Sequence, residues 1–157
     1  MRKPALLSML VLGALLIPAT AAEATPPVVT PPTSFEVVVP FPGVCAFPMT
    51  ATVLGRTLAI TFVDANGNAI RGFAAGQLFV TWQRDDTGFA RTFTISGPSF
   101  FDAAGDAVLG TGRWTTPMVD AGWVLASGHL TFDGTQDGFS LISTMNGHAR
   151  SLCALMS

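Results

Sequence analysis

The segment Gln77 to Ser96, QLFVTWQRDDTGFARTFTIS, alternates on both sides of a single turn. Leu78, Val80 and Trp82 fall on one face and Phe79, Thr81 and Gln83 on the other; past the turn, Phe89, Arg91, Phe93 and Ile95 oppose Ala90, Thr92 and Thr94. A period of two is strand geometry, because successive side chains of an extended chain point to opposite faces. The connector Asp85-Asp86-Thr87-Gly88 puts Asp first in a type I turn, where its carboxylate can accept a backbone N–H, and Gly fourth, where a hairpin bulge needs φ > 0. A β-hairpin is expected, with Trp82 in the core beside Leu78 and Val80.

The same turn chemistry recurs on either side of this hairpin. Phe62 to Gly72 (FVDANGNAIRG) aligns without gaps on Phe100 to Gly110 (FFDAAGDAVLG), 38 residues later, with six of eleven positions identical. Two hairpins that need the same Asp-x-x-Gly turn account for the match as well as a duplication does, and two copies make no solenoid. Three such turns argue for successive antiparallel hairpins.

Outward from these turns, Phe35 to Val39 reads as the first strand, stopped by Pro40-Phe41-Pro42-Gly43. Met49 to Leu54 and Thr57 to Val63 read as a hairpin about Gly55-Arg56, and Thr115 to Gly122 as a loop bounded by Trp114 and Trp123. Trp123 to Phe132 is expected to bury Val124, Ala126, Leu130 and Phe132; Asp133 to Gly138 turns the chain and Phe139 to Asn146 returns it. Ala149 to Met156 suits a last strand or one helical turn. The expectation is an all-β antiparallel sandwich or small barrel of about nine strands.

Residues 1–24 carry Arg2-Lys3, an apolar run from Leu6 to Ile17 and two Ala-x-Ala sites, the pattern of a secretory signal. The run is too short to span a bilayer, so release and not insertion is expected, with a secreted, extracellular or cell-wall-associated protein as the result. Thr25 to Ser34 holds four prolines and reads as an extended spacer, leaving 35–157 as a single β domain. Of 8 basic and 10 acidic residues, 6 and 9 remain without Arg2, Lys3 and Glu23, a formal charge of −3. That leaves no basic patch for phosphate, and nucleic acid is excluded as a partner. Cys45 and Cys153, alone in a chain bound for an oxidising compartment, are expected to form a disulfide joining the two ends of the domain.

Ile95-Ser-Gly-Pro-Ser99, Gly110-Thr-Gly-Arg-Trp114, Ser127-Gly-His-Leu-Thr-Phe-Asp133 and Leu152-Cys-Ala-Leu155 together resemble a group of small exported actinobacterial proteins of unknown function, over roughly Val44 to Ser157. The resemblance implies export and a β domain and supplies no catalytic residues.

Chemistry is sparse. His129 and His148, with Asp133 and a hydroxyl, could in principle build the site of a small secreted hydrolase, but no Gly-x-Ser-x-Gly elbow is present. Asp64-x-Asn66-x-Asn68 opens like a calcium loop and then has Ala69 and Ala75 where Gly and a bidentate Glu are wanted. The pairs Asp102/Asp106 and Asp133/Asp137 are turn formers first. No metal or cofactor site is expected. Trp114 and Trp123 are nominated as a ligand surface, since aromatic faces at the ends of an irregular loop suit a small molecule, a glycan or a protein. The reading that results is a non-catalytic binding or envelope-associated protein.

Overall fold

The computed structural model describes residues 25–157; residues 1–24, expected to be a secretory signal, lie outside the described residues. The strands are β1 (Val28–Phe41), β2 (Met49–Val63), β3 (Ala69–Arg84), β4 (Ala90–Thr94), β5 (Ser99–Phe101), β6 (Ala107–Met118), β7 (Gly122–Gln136) and β8 (Phe139–Ser151), followed by a short helix α1 (Leu152–Met156). They form one open, almost wholly antiparallel sheet of eight strands in the order β1-β2-β3-β5-β6-β7-β8. β4 and β5 share one edge of β3, at 79–83 and 72–74 respectively. One parallel bridge, Met118 to Ile142, joins β6 to β8.

The hairpin of Gln77 to Ser96 forms as its alternation requires. Val80 and Trp82 are fully buried, Arg84 N–H donates to the Phe89 carbonyl at 2.8 Å, and Gly88 takes φ 73°. The carboxylate engaged there is Asp86, held by the Arg84 guanidinium at 2.7 Å, not Asp85. The two similar segments form matching hairpins. Asp64 Oδ1 accepts from the N–H groups of Asn66 and Asn68, and Asp102 Oδ1 from those of Ala104 and Asp106. Each hairpin also carries a register break at the same place, Phe62/Val63 in one and Phe100/Phe101 in the other.

Five expectations are corrected. Gly55-Arg56 is not a turn: β2 runs through it and pairs with β3 continuously from Met49–Arg84 to Val63–Ala69. Glycine serves instead at a close crossing, since a Cβ on Gly55 would strike the Gln77 carbonyl and one on Gly76 the Arg56 carbonyl. The spacer reading fails for 28–34, which pair with 56–61 of β2; Pro31-Pro32 sits at the register break between Thr30 and Thr33, on an edge strand that can lack those N–H donors. The loop Thr115 to Gly122 is mostly strand, because β6 continues to Met118 with Thr116 and Pro117 buried, and the chain reverses only through Val119 to Ala121, with Asp120 at φ 59°. Eight strands replace about nine, since Met49 to Leu54 and Thr57 to Val63, expected to be separate, merge into β2. The turn before β8 is tighter than expected: Gln136 pairs with Phe139 around Asp137-Gly138, whose φ angles of 53° and 80° suit a two-residue hairpin.

Two clusters fill the interior. Phe41, Met49, Trp82, Trp123, Leu152 and Met156 belong to one; Val124, Ala126, Leu130, Phe132 and Ile142 belong to the other. Trp123 and Val124 are neighbours in different clusters, so β7 is covered on both faces at its start, in keeping with its unbroken apolar run Trp-Val-Leu-Ala. The rings of Phe41, Trp82, Trp123 and Phe139 meet with centroids 5.0 to 5.6 Å apart, bringing β1 and β3 against β7 and β8. α1 is the single helical turn that was one of the two expected forms of the C-terminal piece. Ser151 caps it by accepting from Ala154 N–H, and Leu152 and Met156 are buried beneath the loop that follows β1.

Cys45 and Cys153 are bonded, with Cα atoms 5.5 Å apart across 108 residues. Closing a loop of that length removes enough freedom from the unfolded chain to stabilise by about 4–5 kcal/mol. Replacing both cysteines by Ala should lower the unfolding free energy by that order in urea denaturation of the oxidised and variant proteins, with the strand content at zero urea unchanged.

Candidate functional site

The register places Val39, Ala51 and Trp82 in one row across β1, β2 and β3, and Val37, Val53 and Val80 in the next. Alternation then turns these side chains to the same side of the sheet. Trp114 and Thr115 of β6, Trp123 of β7 and Phe139 of β8 stand across from them, and the two walls border a partly open cavity of about 220 Å³. Small groups keep it open: Ala51, Ala75, Gly76 and Gly97 line it where longer side chains would fill it.

The lining is chemically narrow. Among the described residues no ionisable side chain lines it, and its side-chain hydroxyls are those of Thr57, Ser99 and Thr115. Ser99 directs its hydroxyl to the Ala74 carbonyl at 3.4 Å. Trp82 is 1 % exposed, and its indole N–H is buried with no acceptor within reach. Trp114 differs, since its N–H donates to the Thr111 carbonyl at 3.3 Å.

Trp114 and Trp123 are thus brought together, but not as an exposed platform on a loop. Trp123 is 6 % exposed and packed among Phe41, Trp82 and Phe139, while Trp114 is half-buried against Phe132 at 5.0 Å. Both residues belong to the cavity wall. Sequence reading took Trp82 as core and stopped there. The signal that could have suggested the cavity was the row of small residues at Ala74-Ala75-Gly76, opposite strands otherwise rich in Val, Leu and Trp.

His129 and His148 are exposed on β7 and β8, and among the described residues neither is hydrogen-bonded to a carboxylate or hydroxyl. The assembly that nucleophilic catalysis needs is not formed around them. Among the described residues, no three His, Cys, Asp or Glu side chains are placed to hold a metal ion. Asp64 is occupied within its own turn: the Asn68 side-chain amide, at 3.1 Å, and then the backbone N–H of Asn68 hold its carboxyl below the usual carboxylate range. Among the described residues no helix is long and apolar enough to cross a membrane. No protein-family model, curated protein or solved structure matches this chain.

Trp123→Ala should destabilise the protein by about 3–5 kcal/mol, the usual range for emptying a buried aromatic site, and half-buried Trp114→Ala by less. Equilibrium denaturation measures both. For Asp64, the depressed pKa means that its contribution is complete above the unfolded-state value and fades as pH falls through the folded one. Asp64→Ala should therefore lower the melting temperature by a steady amount from neutral pH down to about pH 4, with the gap to the native protein closing below that. An equal gap at pH 2 and pH 7 would contradict the assignment.

Proposed function

We propose that this chain is an exported, non-catalytic binding protein whose ligand seat is the cavity between β1–β3 and β6–β8, formed by a sheet curled into an incomplete barrel. The observation that carries the proposal is the cavity's size and lining: about 220 Å³, walled by aliphatic and aromatic side chains and reached by no charge. An apolar void of about 150 Å³ stays dry and takes up benzene, so the larger space here suits a molecule of roughly ten non-hydrogen atoms. Export is supported by the signal-like residues 1–24, by the disulfide, and by the resemblance to small exported actinobacterial proteins.

The test is thermal denaturation with naphthalene, a neutral apolar probe of ten carbons. A ligand bound only by the folded state at about one hundred times its Kd should raise the melting temperature by roughly 5–10 °C. Val53→Phe, which extends a ring into the space from β2, should abolish that rise. No shift in the native protein, or an equal shift in the variant, sinks the cavity as the binding seat.

A further inference from the structure

β1 stands at the end of the sheet order and, among the described residues, pairs only with β2, so its outer edge presents a row of open backbone N–H and C=O groups. Edges of this kind are normally blunted by lysine, proline or a bulge. Pro31-Pro32 at the register break and Pro40 protect the two ends of β1, and no such residue lies between them. Ser34 to Val39 (SFEVVV) carries a single charge, and its apolar side chains are open to solvent on both faces: Phe35 and Val37 on one, 37 % and 47 % exposed, and Val38 on the other, 59 % exposed. The opposite edge of the sheet is not equivalent. The start of β8 is already bridged to β6 at Met118 and Ile142, and its exposed residues further on are polar, Asn146, His148 and Arg150 among them.

We propose that this edge is a self-association surface: β1 of a second copy adds antiparallel to it about a two-fold axis at Phe35, joining two sheets into one. An added strand satisfies the open backbone groups, and the sheet it brings covers both apolar faces of the edge together. A two-fold pairing also keeps each face continuous, because the residues it sets opposite one another share a face. The side chains select the register. With the axis at Phe35, the two Phe35 rings are neighbours, and each is flanked on β2 by Gly55, which has no side chain to crowd it. Ser34 then faces Glu36 of the second copy, and behind Ser34 on β2 stands Arg56. Arg56 Nε donates to the Pro32 carbonyl at 3.4 Å, so its guanidinium lies over β1, and neither Arg56 nor Glu36 is ion-paired among the described residues. Each charge meets its opposite across the small Ser34, twice by symmetry. An axis at Glu36 would set the two carboxylates face to face, and one at Val37 would set each against Val38 with no cation beside it.

Sedimentation velocity of the chain 25–157 should show a reversible dimer with a Kd on the order of 10–100 μM, the weak end that suits a small interface of one strand pair. Glu36→Arg and Arg56→Glu should each weaken it about tenfold, since two exposed pairs turn from attraction to repulsion. The double variant, which restores opposite charges, should return to within about threefold of the native Kd. Both side chains are exposed, so these changes leave the fold in place. A second measurement reads the register directly. Phe35→Cys, oxidised after folding, should trap a disulfide-linked dimer, because Cα atoms paired on the axis lie about 4.5–5.5 Å apart. Val37→Cys should not, since its two copies stand about 13 Å apart along the join. A native chain that stays monomeric at about 1 mM, ten times the upper end of the expected range, overturns the proposal and leaves the edge to a strand of some other chain. A dimer that Glu36→Arg and Arg56→Glu leave unchanged, or equal trapping by the two cysteine variants, overturns it as well.

Discussion

The contact on which the rest of this structure depends is the group of four rings, Phe41, Trp82, Trp123 and Phe139. An antiparallel sheet of eight strands has no need to bend back on itself, because each strand is satisfied by its immediate neighbours. Yet an open sheet leaves both faces to water, and the apolar residues of β2 and β3 require a cover. The ring cluster supplies it by bringing the ends of β1 and β3 against the starts of β7 and β8, with centroids 5.0 to 5.6 Å apart in tilted and edge-on arrangements. The disulfide acts at the same end, clamping the loop after β1 to α1. The other end of the β1–β2–β3 ribbon has no such cover, and Val28, Val29 and Ile70 there remain more than half exposed.

How much was legible in the sequence follows from the distance over which each feature is decided. Asp64, Asp85–Gly88 and Asp102 specify their turns within five residues, so three hairpins could be read directly, even though Asp86 and not Asp85 proved to be the engaged carboxylate in one of them. Gly55-Arg56 misled because glycine has two uses. It opens a turn where φ must be positive, and it permits two backbones to cross where no Cβ will fit; the second use depends on Gln77 and Leu78, over twenty residues away. Pro117 and the Thr-Thr pair before it broke alternation and suggested a loop, whereas pairing with Trp123 to Leu125 of β7 holds them in a strand. The same holds for 28–34, whose prolines read locally as a spacer and are accommodated at a bulge on an edge strand.

The site was less legible than the fold, for a related reason. A catalytic group announces itself by its own chemistry, but a cavity is defined by what its lining residues lack. Ala51, Ala75, Gly76 and Gly97 are unremarkable in sequence; they matter only because Trp82, Trp114 and Trp123 stop short of the space they leave. Trp114 and Trp123 were read as the two ends of an irregular loop; that loop is mostly strand, and both side chains line the cavity, Trp123 buried and Trp114 half-buried. Trp82, read as core, is core, and its indole N–H is buried without a partner among the described residues.

Magnitudes connect the void to the cross-link. At about 24 cal/mol per Å³, an empty space of 220 Å³ costs on the order of 5 kcal/mol relative to a filled core. That is an upper figure, since Val53, Leu78 and Thr115 in its wall are only partly buried and some of the space reaches solvent. Domains of this size have about 5–15 kcal/mol of net stability, so a loss of that order is one that few could carry uncompensated. The loop closed by Cys45 and Cys153 contributes about 4–5 kcal/mol through the unfolded state, nearly the same amount and of opposite sign. It does so without occupying the interior, whereas filling the void with larger side chains would restore stability and remove the space. A chain that keeps an internal cavity open therefore gains more from a covalent tie outside it than from better packing at its centre, and Cys45 of the disulfide packs against the aromatic cluster whose rings line the cavity.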